Sequence, residues 1–399
     1  MKRNNREEDE EIDSDEIPDV VSSDPEEEKE EDNFFSETPE EKRLRLAKEY
    51  LERTKKAKDD DDELIEQQLN QDFEEEKGTR FDSINISLSK KEPEPIRYRA
   101  HRGQTTSIVL GNGCVFSASK DGSIVNIQLE PRKHKLIGQL SSSVNSIDYH
   151  RSRKIIAAGD SSQMVSIFDE EECTLLHSLK GHRGEVTGVV FSQKGTELFS
   201  CSYDMNIRVW DIENGNCLTT LFGHQEIVLG IDYCGVCVSC GADRSLRLWK
   251  YIEEKQLLFQ SSAIRSAIDS ISMFNNTYCV TGSQDSKLCL WRLNTKKPIW
   301  VVKDPHGPGN WISSVAALRY RNICASGSND GFVRFWEVKG DKLNPLFSVP
   351  LIGYINDMEF SENGEFLAVQ VSNEQKLGRW LPSIKEARQG VHIIRLDHN

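Results

Sequence analysis

The chain has 399 residues, with 65 Asp+Glu against 50 Lys+Arg and ten Cys. That length allows one large core, and no run of 18 apolar residues is present to span a bilayer. The opening MKRNNREEDEE lacks the apolar stretch of a secretory leader, so the ten Cys point to a reducing compartment rather than a disulfide framework.

The charge is concentrated at one end. Residues 1–76 hold 31 Asp+Glu and 12 Lys+Arg, a net charge of −19, while the remainder carries +4. Residues 1–33 are acidic, poor in aromatics and unable to bury a core, so they are predicted to be a disordered tail. Within them Ser23, followed by Asp24 and Glu26, is a candidate acidic-directed phosphorylation site. A helical extension and linker is expected over 34–94. Thr38 suits an N-cap, Pro39 the first helical position, and Glu40 and Glu41 the positive end of the dipole. Lys55, Lys56 and Lys58 suit the other end. Leu44, Ala47, Tyr50 and Leu51 form one apolar stripe between Lys42, Arg43, Arg45, Lys48 and Arg53. We read this stripe as a face for a protein partner; the alternative is a solvated, charged helix. Asp59–Asp62 interrupt the pattern before a second helical stretch on Leu64, Ile65, Leu69 and Phe73.

From residue 95 to 399 the sequence repeats. Ile127, Phe168, Trp210, Trp249, Trp291, Trp336 and Trp380 are separated by 41, 42, 39, 42, 45 and 44 residues. Periods of about 40–45 residues mark β-propeller blades. The stretches SYDMNIRVWD, GADRSLRLWK, GSQDSKLCLW and GSNDGFVRFW share small residues, a turn at Asp and an alternating strand closing on Trp, which is the WD40 signature. Gly181-His182 and Gly223-His224 supply its Gly-His half. The predicted fold class is therefore all-β: a seven-bladed WD40 β-propeller with an acidic, partly helical, largely disordered N-terminal extension. Two segments compete to be the outermost strand of the last blade. VHIIRL (391–396) alternates β-branched residues more strongly than IRYRA (96–100), so the expectation is that VHIIRL is outermost.

His182, Ser200, Asp204 and Trp210 stand where such blades bury a hydrogen-bond chain. His224, Ser239, Asp243 and Trp249 do so in the fourth repeat, and His306, Ser326, Asp330 and Trp336 in the sixth. A His-Ser-Asp grouping also suggests a hydrolase triad, but one that recurs per blade and ends on an indole donor reads as structure. Cys234, Cys237 and Cys240 in CGVCVSC resemble a metal tripod, yet no further Cys or His completes a site, so small buried hydrophobes are expected and no metal or other cofactor. No nucleophile motif, phosphate-cradling Gly loop or small-molecule site is found, so no enzyme is expected.

Three stretches lie outside the generic repeat: ETPEEKRLRLAKEYL, HGPGNWISSVAAL (306–318), and PLIGYINDMEF followed by KLGRWLPSIKEARQGVHIIRL. In content and order they resemble the U3 small nucleolar RNA-associated WD40 proteins of the U3 snoRNP, over about 35–399. The resemblance implies a propeller that joins U3 small nucleolar RNA beside the kink-turn-binding snoRNP protein at the box B/C element. It also implies other small-subunit processome proteins as partners, and a nuclear, nucleolar role in pre-ribosomal RNA processing.

The body's +4 is too mild for a general RNA-binding surface and favours a small shaped patch. Residues that break the blade pattern are free to bind, and these are Lys376, Arg379, Lys385 and Arg388. Arg can clamp phosphate or stack on an unpaired base. The alternative for Arg379 is an ion pair to a neighbouring blade. Trp311 is either a stacking platform or packing for repeat six. A G-protein-β-like scaffold would need a sustained heptad helix, which the Asp59–Asp62 break denies. A histone-binding propeller would carry its acid on the body rather than in a tail.

Overall fold

A computed structural model describes residues 84, 86–88, 94–129, 131–376, 378 and 382–398. The chain divides into compact units at 1–71 and 72–399, and all of the described residues fall in the second. Residues 1–33, for which disorder was expected, the stretch with Leu44, Ala47, Tyr50 and Leu51, for which a helix was expected, and Arg379 and Trp380 lie outside the described residues.

Seven antiparallel sheets are arranged in a ring. Blade three is representative, with strands Val186–Phe191, Glu197–Ser202, Ile207–Asp211 and Asn216–Leu221 from axis to rim. The innermost strands contact one another all the way round, from Thr105–Leu110 of blade one to Tyr354–Phe360 of blade seven and back. A blade's two faces are both covered by neighbours, which explains why Val186–Phe191 is buried at every position rather than alternating. The core is accordingly not one mass but seven apolar layers, each between two adjacent sheets.

Polar side chains stitch the innermost strands together. Asp148 accepts from the Phe191 N–H (2.6 Å), Asp232 from Met273 N–H (2.7 Å), Asp357 from Ile108 N–H (3.1 Å) and Glu359 from Leu110 N–H (2.6 Å). Each links one blade to the next and satisfies a backbone donor facing the channel.

The buried hydrogen-bond chains are continuous. In blade three Trp210 Nε1 donates to Ser200 Oγ (2.7 Å), which also meets His182 Nε2 (2.7 Å), while His182 Nδ1 meets Asp204 (2.9 Å). Blades four and six repeat this with His224, Ser239, Asp243, Trp249 and with His306, Ser326, Asp330, Trp336. Ser200, Ser239 and Ser326 have no exposed surface, so none is a nucleophile. Sequence reasoning missed a shortened version in blade one. There His101 meets Ser123 (2.6 Å) and Ser117 (3.0 Å), with no Gly before the His and Ile127 in place of Trp. The three Cys do not converge: Cys237 packs between blades three and four, whereas Cys234 and Cys240 pack between four and five. Among the described residues no group of three His, Cys, Asp or Glu is arranged to hold a metal.

The ring closes differently from the expectation. Gly390–His398 is the third strand of blade seven, not the outermost, and pairs with Phe366–Ser372. Ile96–Tyr98 and Ile86–Leu88 both pair with its far edge and form the rim. Register makes the correction firm. Leu198 opposes Trp210 and Cys324 opposes Trp336, and in blade seven Leu367 opposes Ile394. Ile394 therefore holds the blade position that Trp380 was expected to hold, delayed by an insertion over 373–389. The β-branched run of VHIIRL suits a strand paired on both edges, and Val391, Ile393 and Ile394 are buried. Ile394→Ala should cost about 2–5 kcal/mol. Thermal denaturation checks this, and an unchanged midpoint would return the blade position to another residue.

Candidate nucleic-acid interface

The 373–389 insertion connects the second and third strands of blade seven, and it is held on several sides. Ile384 N–H donates to Asn373 O (3.0 Å), closing the segment on itself. Tyr354 Oη donates to Pro382 O (2.9 Å) from the blade's innermost strand, and Asn356 Nδ2 of the same strand to Glu374 O (3.2 Å). Lys120 Nζ reaches from blade one to Gln375 O (2.8 Å). At its exit Arg97 donates through Nε (2.9 Å) and Nη2 (2.7 Å) to Gln389 O, and His392 Nε2 donates to Arg388 O (2.8 Å).

Lys385 and Arg388 of this insertion are exposed. The closing strand adds Arg97 and Arg99, also exposed. Burial, and then the like charges of Arg99 and Arg388, bring the Arg97 guanidinium below its ordinary value. Three guanidinium groups thus share one short stretch of surface. Arg102, exposed in the segment entering blade one, and Lys120 extend the basic sector at the same end of the sheets. Asp121 lies among these groups as a carboxylate, tied to the Gly103 N–H (3.0 Å) and Ser123 N–H (3.0 Å), which favour its charged form. Arg97, Arg99, Arg102 and Lys120 escaped the sequence reading. Their signal was the alternation of Arg in IRYRAHR, which acquires meaning only when that segment pairs with 390–398.

Lys376 and Trp311 are placed differently. Both are half-buried and line the mouth of a central channel of about 980 Å³, with Tyr203, Gln284 and Gln375. Trp311 also fastens blade six, its carbonyl accepting from Ser328 Oγ (2.6 Å). Further in, the wall is carboxylic. Burial, reinforced by Asp148 and Asp357, pushes Glu359 up to about 8, and burial alone pushes Asp269 up to about 7 against its bond from Gln284. The far mouth is braced by ion pairs that skip a blade, Arg319 to Asp232 (2.6 Å) and Arg151 to Glu362. The outer sector, by contrast, presents exposed cationic side chains at Arg97, Arg99, Lys385 and Arg388. The repeat arginines serve the blades. Arg334 pairs with Asp330 (2.9 Å), Arg247 donates to Gln256 (2.8 Å), and Arg208 lies over Trp210.

The WD40 family (WD domain, G-beta repeat) matches residues 131–169, 173–211, 215–250 and 297–337. U3 small nucleolar RNA-interacting protein 2 of Mus musculus is 34% identical over 393 residues, covering 90% of this chain and 82% of the mouse protein. A solved structure of U3-55K aligns with a TM-score of 0.74 at 33% identity, covering 77% of this chain and 100% of that one. A crystal structure of RRP9 WD40 repeats aligns with the same score and identity, covering 78% of this chain and 100% of that one.

Proposed function

This chain belongs to the family of U3 small nucleolar RNA-associated WD40 proteins, and we propose that it is a non-catalytic U3 snoRNP component that binds U3 small nucleolar RNA. In this reading it works in the nucleolus, in pre-ribosomal RNA processing toward the small subunit. It recognises the box B/C element together with the kink-turn-binding protein and meets further small-subunit processome proteins. The observation that carries the proposal is the gathering of Arg97, Arg99, Lys385 and Arg388 where an insertion breaks the blade pattern. We assign Lys385 and Arg388 to phosphate. Lys376 and Trp311 are assigned to an unpaired nucleotide at the channel mouth, where a ring can stack and an amine can pair. Arg379 joins them on its sequence position alone.

The test is affinity for a U3 fragment carrying box B/C, preassembled with the kink-turn-binding protein, across a range of salt. Replacing Lys385 and Arg388 with Ala should leave folding intact and flatten the log K against log salt slope by about 0.7–0.9 per lost contact. An unchanged slope in the folded double variant would overturn this site. Deleting residues 1–33 should leave affinity unchanged or slightly higher, because an acidic tail repels phosphate. A large loss on deletion would count against that part. The Thr38–Lys58 stretch is assigned to a protein partner within the particle.

A further inference from the structure

The exit of the insertion is built with more care than a surface loop needs. Gly390, the first residue of the following strand, is buried and has φ +140°, and a Cβ there would lie 2.4 Å from the Tyr98 carbonyl oxygen. The closing strand thus presses directly on the hinge. Arg97 grips the Gln389 carbonyl with two donors, one for each lone pair. Opposite it in register, His392 donates to the preceding carbonyl, that of Arg388. This bond fixes the His392 tautomer with its hydrogen on Nε2, and leaves Nδ1 buried with no partner. Buried polar atoms are seldom left so, and this one is tolerated for the sake of the other nitrogen. His392 is 4% exposed and cannot itself reach a ligand lying on the surface.

We propose that Arg97 and His392 are positioning residues, which clamp two successive carbonyls of the insertion and so hold the Arg388 guanidinium in the geometry that engages RNA phosphate. The inference rests on the RNA-binding reading above. It assigns the closing strand a second task, since the strand that seals the ring also sets the shape of the basic sector. A guanidinium held within a short distance of two others pays off only if its backbone cannot swing away, because free like charges separate.

Four variants of the full chain separate the possibilities: Arg97→Lys, His392→Phe, His392→Gln and Arg388→Ala. Each is measured for affinity to the same U3 fragment with the kink-turn-binding protein, and for thermal midpoint. Arg97→Lys keeps the charge and loses the two-pronged grip. It should weaken binding about 2–10-fold, the loss expected when one positioning hydrogen bond goes. His392→Phe should do the same, and His392→Gln, which keeps an N–H donor, should recover much of the loss. On the His392→Phe background, Arg388→Ala should add little, since the group it removes is already misplaced. If Arg97→Lys and folded His392→Phe bind like the unaltered chain while Arg388→Ala is weakened, the positioning role fails and the RNA reading stands. If the unaltered chain binds no better to the U3 fragment than to a scrambled RNA, both fail. Should His392→Phe not fold, Arg97→Lys, an exposed substitution, decides alone.

Discussion

Trp210→Ala should be among the most damaging single substitutions in the propeller, costing about 3–5 kcal/mol. In a domain of this size that is a fall in thermal midpoint of roughly 5–8 °C. The indole is 1% exposed and fills the layer between blades two and three. Its loss also removes the donor to Ser200 Oγ and leaves a fully buried hydroxyl short of one partner. Trp210→Phe tests the two parts separately. It keeps most of the volume and loses the donor, so it should fall between alanine and the unaltered chain. Blade two, where Phe168 holds the same register position opposite Ile156, shows that a blade can be built that way. There, however, the residue in the Ser position is Ala158, so no hydroxyl waits for the indole. Trp210→Phe combined with Ser200→Ala should therefore lose less than the sum of the two single losses, since both changes break one chain, although Ser200→Ala also takes the partner of His182 Nε2. Additive losses instead would mean that the hydrogen-bond chain contributes nothing beyond packing.

The second large effect depends on pH. Glu359 sits on the channel wall with its carboxyl raised to about 8 from an ordinary 4.5, and Asp148 is raised to about 6 from 3.8, in both cases by burial first and neighbouring carboxylates next. Such groups hold protons in the folded state that they release when unfolded. Below the unfolded value they cost nothing, and the penalty grows as pH rises toward the folded value. The blade carboxylates act the other way. Burial raises Asp204 and Asp243, but bonds from His182 and His224 outweigh it and bring both down to about 2, so their contribution is lost as pH falls from about 4 toward 2. Stability should therefore peak in mildly acid solution and decline from there to pH 8. Glu359→Gln should flatten the alkaline decline, raising the midpoint at pH 8 by roughly 2–3 °C for a gain of about 1–2 kcal/mol. At pH 4.5 the two chains should melt together. Parallel curves over the whole range would show that Glu359 does not carry the effect.

Much of this architecture was legible because it is written in repeated, chemically costly residues. A buried Trp, His and Asp at fixed offsets cannot be there by accident in three blades. The closure was not legible, and the reason is physical. A rhythm of landmarks counts residues, whereas a blade is defined by which strand pairs with which. Trp380 falls 44 residues after Trp336 and so keeps the beat, while the hydrogen bonds give its position to Ile394. The site divides along the same line. Lys385 and Arg388 could be singled out because their segment departs from the repeat. Arg97 and Arg99 could not, since they join the site only by pairing across a separation of about 292 residues. Lys376 was legible as a basic residue in the right segment, but its half-buried place at the channel mouth follows from how the two residues before it, Glu374 and Gln375, are tied down.

The shared seventh blade also governs how the molecule can be made. Residues 96–98 leave the ribosome early, yet the edge they must cover, 390–398, is among the last parts of the domain to be synthesised. Six blades can stack in order as they emerge, each on the one before. The first strand meanwhile has no edge to cover, and a short strand with unmet backbone groups is a target for any other open edge in the cell. The basic sector is in the same position, because Arg97, Arg99 and Arg102 precede the blades in the chain whereas Lys385 and Arg388 follow six of them. A chain interrupted before residue 390 would therefore carry most of its blades but neither a closed ring nor an assembled basic sector.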